Sequence, residues 1–151
     1  DLGMLGYADP DGTIAIYRKP ARPHTAATEF ELSKITDFSR VDIVASYAGA
    51  DGVAIDAAVN AGAKAVVIAT FAPGLLTPSQ RQAVERALAQ DVVIVFSSRA
   101  GSGRVQRRES MRKRGIIAAD NLNPQKARVL ALLALTQSTD VEDIQRMFDT
   151  Y

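Results

Sequence analysis

The chain is 151 residues long with 47% apolar content, the size and composition of one globular domain with a real core. Lys and Arg total 18 against 17 Asp and Glu, a formal charge of +1, so no global field selects nucleic acid or a membrane as partner. There is no cysteine, which removes disulfides and thiolate metal sites, and no apolar run approaches the roughly 18 to 20 residues of a membrane helix. No signal-peptide pattern opens the sequence, which in a piece of a longer protein leaves periplasmic and cytoplasmic location equally open.

Residues 1–19 read as a β-hairpin. Leu5 to Ala8 and Thr13 to Arg18 flank Asp9-Pro10-Asp11-Gly12, which is strong turn chemistry. A lone hairpin is marginal in water, so this one is expected to be the trailing edge of a preceding domain. Residues 20–40 lack periodicity, and Pro20 and Pro23 favour extended backbone, as in a linker. His24, the only histidine, reads as a solvated linker residue. It has no second histidine, Ser or Cys in a motif that would make a triad or a metal site.

From residue 41 the pattern becomes regular. Val41 to Ser46, Val66 to Thr70, Val92 to Ser98 and the weaker Ile116 to Ala119 are short runs that are apolar on both faces, as in parallel strands covered by helices. Helices fall between them. Asp51 to Ala61 ends at Gly62, and the next starts at Thr77-Pro78-Ser79-Gln80, with an N-cap, a first-position proline and a glutamine three residues on. Asn123 and Pro124 open a third helix, in which every residue from Ala127 to Leu135 except Arg128 is apolar, so more than one of its sides should be covered. A capping box at Thr139-Asp140-Val141-Glu142 opens the last helix and places Ile144, Met147, Phe148 and Tyr151 on one face. Alternating strands and helices predict a flavodoxin-like, three-layer α/β domain over residues 41–151 with about four parallel strands.

In such sheets ligands gather at the loops after the strands' carboxyl ends. In the loop from Ser46 to Gly52, Asp51 serves either as a helix cap or as part of a ligand site. The apolar loop from Thr70 to Leu76 would expose Phe71, Leu75 and Leu76, a patch that suits a protein interface, so Tyr47, Phe71 and Leu76 are candidate interface residues. Gly101 and Gly103 around Ser102 lack the following Lys-Ser/Thr of a phosphate-binding loop. Arg104 to Arg114 contains six basic residues and one acid, Glu109, without aromatic residues for base stacking. That composition suits a solvated or subunit-facing segment better than a nucleic-acid site. No Gly-x-Ser-x-Gly, no His-Glu-x-x-His and no cluster of acids with a histidine is present, so the residues alone reveal no chemistry.

The order of several short motifs supplies more. Leu5-Gly6-Tyr7, Arg22-Pro23-His24-Thr25, Val41-Asp42-Ile43-Val44 with Tyr47 and Asp51-Gly52, Ser97-Ser98-Arg99, Asn123-Pro124-Gln125-Lys126-Ala127-Arg128 and Asp149-Thr150-Tyr151 together resemble the C-terminal region of the L-asparaginase/glutaminase amidohydrolases. The resemblance implies a two-domain enzyme. Its N-terminal domain carries the threonine nucleophile in a Thr-Gly-Gly-Thr motif and a second Thr-Asp pair with a lysine. Neither motif is here: Thr36-Asp37 and Thr139-Asp140 stand in other contexts.

The resemblance also implies that this C-terminal domain closes the substrate pocket of a neighbouring subunit, without cofactor or metal. An asparagine from a Gly-Asn-Gly-Asn loop after the second strand makes one contribution. Here that loop reads Ala72-Pro73-Gly74-Leu75, so Gly74 matches and Leu75 replaces the amide. An acidic residue after the third strand, facing the substrate's α-amino group, makes the other, and Glu109 is the candidate. Expected partners are an N-terminal catalytic domain and a second copy, as dimer or tetramer, with no nucleic acid and no membrane. A binding or regulatory module on the same fold, and a small-anion-binding enzyme using the Ser97–Gly103 loop, are the alternatives.

Overall fold

The computed structural model describes residues 3–71 and 73–151. In chain order its elements are β1 (Gly6–Ala8), β2 (Ile14–Ile16), β3 (Val41–Ala45), α1 (Val53–Asn60), β4 (Ala65–Thr70), α2 (Pro78–Leu88), β5 (Val93–Ser98), α3 (Glu109–Arg112), β6 (Ile116–Ala118), α4 (Pro124–Ala134) and α5 (Val141–Thr150). The last four strands form one parallel sheet in the order β3-β4-β5-β6, with Val41 opposite Ala65, Ala65 opposite Val93 and Ile94 opposite Ile116. Both central strands are buried along all six residues, as their unbroken apolar runs require.

Alternation along those strands builds two cores. Val66, Ile68, Ile94, Phe96 and Ile116 pack with Ile55 of α1, Val84 of α2 and Met111 of α3. On the other face Ala65, Val67, Val93, Val95 and Ile117 pack with Leu130 of α4 and with Ile144, Met147 and Phe148 of α5. Three layers follow from a sheet that is apolar on both faces. Burying an aliphatic or aromatic side chain of this size stabilises by about 1.5–3 kcal/mol, so these residues hold the sheet in place.

Local chemistry sets the helix starts, with two departures from expectation. Thr77 Oγ1 accepts the Gln80 N–H at 3.2 Å, and Asn123 Oδ1 accepts the Lys126 N–H at 2.9 Å, each ahead of a proline. The Gln80 side chain does not fold back to complete a capping box. It is buried, accepts from Ser46 Oγ at 2.6 Å and donates to Ala45 O at 3.1 Å, because an orphaned donor and acceptor at the end of β3 bind it more strongly than an exposed cap does. The second departure is at α5, where Asp140 rather than Thr139 is the cap, its carboxylate accepting the N–H groups of Glu142 and Asp143. A carboxylate at a helix start also meets the positive end of the helix dipole.

Residues 20–40 are less extended than their prolines suggest. They form short 3₁₀ turns at Thr25–Ala27 and Leu32–Lys34, and they are tied to the second core. Arg146 donates to both Glu29 carboxylate oxygens at 2.9 and 2.8 Å, Tyr151 Oη accepts the Glu29 N–H, and the Phe30 and Tyr151 rings lie 5.2 Å apart. These hydrogen bonds hold the Glu29 carboxyl below the usual glutamate range, with Arg146 the largest cause. His24 is exposed. On α4, Ala127, Leu130, Ala131 and Ala134 are buried but Val129 is exposed, so the helix covers one face and borders an open apolar hollow of about 620 Å³ with the other. Among the described residues, strands β1 and β2 pair only with each other, and Tyr7, Ile14, Ile16 and Tyr17 are exposed.

Candidate functional site

The carboxyl ends of β3, β4 and β5 bring three loops together, and Arg99 joins them. Its N–H donates to Thr70 O at 3.1 Å, its Nη1 donates to Ser46 O at 2.9 Å, and its guanidinium lies 4.2 Å above the Phe71 ring. One side chain thus holds the end of β3 and the loop after β4 against the end of β5.

The loop after β4 is a tight turn. Phe71 and Leu75 bridge antiparallel, with Leu75 N donating to Phe71 O at 2.9 Å and Phe71 N donating to Leu75 O at 3.2 Å. Gly74 sits at φ +107°, and a Cβ there would lie 3.2 Å from Val105 Cγ1. Both the backbone conformation and the close approach demand glycine. The same turn corrects the expected apolar patch. Leu76 is buried in the first core, and Phe71 is half-buried beneath Arg99, so of the three residues only Leu75 is exposed. Tyr47, at the end of β3, is exposed.

Gly52 is the N-cap of α1, and one residue ahead of it stands Asp51. Its Oδ1 accepts the Val53 N–H at 3.1 Å, so the start of α1 already holds a carboxylate. The basic segment is largely neutralised. Arg104 pairs with Asp120 at 2.7 Å, Arg107 forks onto Glu142 with two 2.7 Å hydrogen bonds, and Arg114 pairs with Glu85. The Arg107 fork holds the Glu142 carboxyl below its ordinary range.

Glu109 stands in the first turn of α3, exposed and 3.7 Å from Lys113, and does not line the cleft beside Gly74. Its neighbour Arg108 does, donating from Nη2 to Gly74 O at 3.3 Å. The structure therefore gathers Gly74, Leu75 and Leu76 around a cleft of about 280 Å³, but with Arg81, Arg108 and Arg114 in place of a carboxylate. Neither Arg81 nor Arg108 has an ion-pair partner among the described residues. The basic run flagged this segment in sequence, but which arginine turns toward the loop is set by the start of α3. No group of three or more metal-ligating side chains is present among the described residues.

Comparison with known proteins identifies the family. Residues 40–148 match the family described as Glutaminase/Asparaginase C-terminal domain. The chain is 39% identical over 153 residues to L-asparaginase 2 of Escherichia coli, covering all of this chain and 44% of that protein. It is 38% identical over 151 residues to L-asparaginase 2 of Bacillus subtilis, covering all of this chain and 40% of that one. Among solved structures, the probable cytoplasmic L-asparaginase of Campylobacter jejuni superimposes with a TM-score of 0.92 at 38% identity, over 97% of this chain and 47% of that one. The chain thus spans less than half the length of these relatives. By sequence and by fold, the chain belongs to the glutaminase/asparaginase C-terminal domain family.

Proposed function

We propose that this chain is the C-terminal domain of an L-asparaginase-type amidohydrolase, silent alone, which assembles the oligomer and completes a neighbouring subunit's substrate pocket. The intact enzyme hydrolyses L-asparagine to L-aspartate and ammonia. The nucleophile resides in an N-terminal domain that is this chain's partner. In this reading residues 1–19 are the tail of that domain, 20–40 the interdomain linker and 41–151 the pocket-closing domain. The observation that carries it is the TM-score of 0.92 over nearly the whole chain against less than half of an asparaginase. Two features of the molecule support it. The hairpin exposes Tyr7, Ile14, Ile16 and Tyr17 as a sheet fragment awaiting neighbours does, and the Gly74 turn is held rigidly by Arg99 at the end of the sheet where ligands gather.

Ammonia release from millimolar L-asparagine and L-glutamine tests the reading, first with the chain alone and then with a separately prepared asparaginase N-terminal domain. Silence alone with turnover on mixing is the expected outcome. Turnover by the chain alone would overturn it. A second reading, a non-catalytic binding module on the same fold, is favoured by Leu75 and the arginine-lined cleft, since leucine has no amide to offer a substrate. Silence in both mixtures would support it.

A further inference from the structure

We infer that the cleft between the Gly74–Leu76 turn and residues 108–114 is a binding site for a short aliphatic carboxylate. Guanidinium groups from two separate segments line it: Arg81 from α2, Arg108 from the start of α3 and Arg114 just beyond. No carboxylate lines it. Glu109 stands away beside Lys113, and Glu85 engages Arg114 from outside the cleft. Arg81 and Arg108 make no ion pair among the described residues, and Arg108 commits only its Nη2, to Gly74 O, so both guanidinium groups keep N–H donors for an acid. Arg114 lines the cleft as well, with its Nη2 against Glu85.

The remaining walls select among anions. Leu75, Leu76, Phe96 and Met111 form an apolar floor, and the Ser110 hydroxyl stands at the edge. A methylene chain gains by lying on that floor, and a compact inorganic anion does not. A volume of about 280 Å³ suits a molecule of a few carbons. The cleft adjoins Leu75, so its place in an intact enzyme rests on the pocket-completing reading above. There the closing surface would favour substrates or effectors that present an acid over those that present an ammonium group. Binding by the isolated chain does not depend on that reading.

The test is a titration of the 151-residue chain with succinate, followed by amide NMR, with succinamide as the neutral isostere and inorganic phosphate and chloride as controls. Saturable shifts at Gly74, Leu75 and Ser110 with succinate, and none with succinamide, are expected. Arg108→Ala and Arg81→Ala should each weaken binding about tenfold, as removal of a charge-assisted hydrogen bond does, and Arg108→Lys by less. The Arg81 side chain makes no hydrogen bond among the described residues, and its backbone N–H bond to Thr77 O survives the substitution, so its variant reports binding even if Arg108→Ala loosens the turn. Equal shifts with succinamide, tighter saturation by phosphate, or unsaturating shifts that chloride reproduces would each overturn the site. Succinate binding without complementation by an N-terminal domain would sink the pocket-completing reading alone; complementation without succinate binding would sink the carboxylate site alone.

Discussion

Arg99 decides the shape of the candidate site more than any residue that lines it. Its contacts reach Ser46, Thr70 and Phe71, so Arg99→Ala should free the Phe71–Leu75 turn while leaving the two cores intact. Faster amide exchange at Leu75, with Tm lowered only slightly, is the expected result. Gly74→Ala acts on the same turn by another route, forcing a Cβ into positive φ against Val105, and should destabilise by about 1–3 kcal/mol in chemical denaturation. The Glu29 carboxyl has a different signature. Its pKa is lower in the folded chain than in the unfolded one, so the unfolded chain binds more protons in the acid range. The stabilisation is present above the ordinary glutamate value and is lost as pH falls through the depressed folded one. Tm measured from pH 6 downward should therefore fall less for Glu29→Gln than for the parent chain.

At the scale of elements, the joint between the end of β3 and the first turn of α2 is the least replaceable. Gln80 is buried and satisfies both Ser46 Oγ and Ala45 O, so Gln80→Leu leaves the buried Ser46 hydroxyl without its acceptor and the part-buried Ala45 carbonyl without its donor. A loss of about 1–3 kcal/mol is expected for the orphaned hydroxyl, against roughly 1 kcal/mol for removing the exposed cap with Asn123→Ala. Urea denaturation of the two variants side by side decides whether the burial of Gln80 outweighs capping. The sequence showed Gln80 only as a capping-box residue, since that pattern is local. The partners that claim its side chain lie 34 and 35 residues away.

The whole molecule is a well-filled α/β domain with unfinished edges. Its sheet is covered on both faces, yet the β1–β2 hairpin and the outer side of α4 expose apolar side chains. Self-association was expected from the Phe71–Leu76 loop, but burial of Leu76 and the half-burial of Phe71 leave that loop little to offer. The hairpin is the larger apolar surface, so sedimentation velocity should show concentration-dependent association that Ile14→Lys and Ile16→Lys together reduce. A double variant that associates as strongly as the parent chain would move the contact elsewhere.

The amino-acid sequence by itself determined the layers, the strand runs and most helix starts, because periodicity, caps and prolines act within a few residues of one another. It also carried the family, through motifs strung in order along the chain. Only the tertiary structure decided which side chains meet at the carboxyl ends of the strands. Leu76 turned inward, Glu109 outward, and Arg108 came to Gly74 because the packing of α3 beside the sheet sets the direction of each residue on its first turn. A loop's composition names the groups available to a site. Their sign and place come from contacts between segments far apart in the chain.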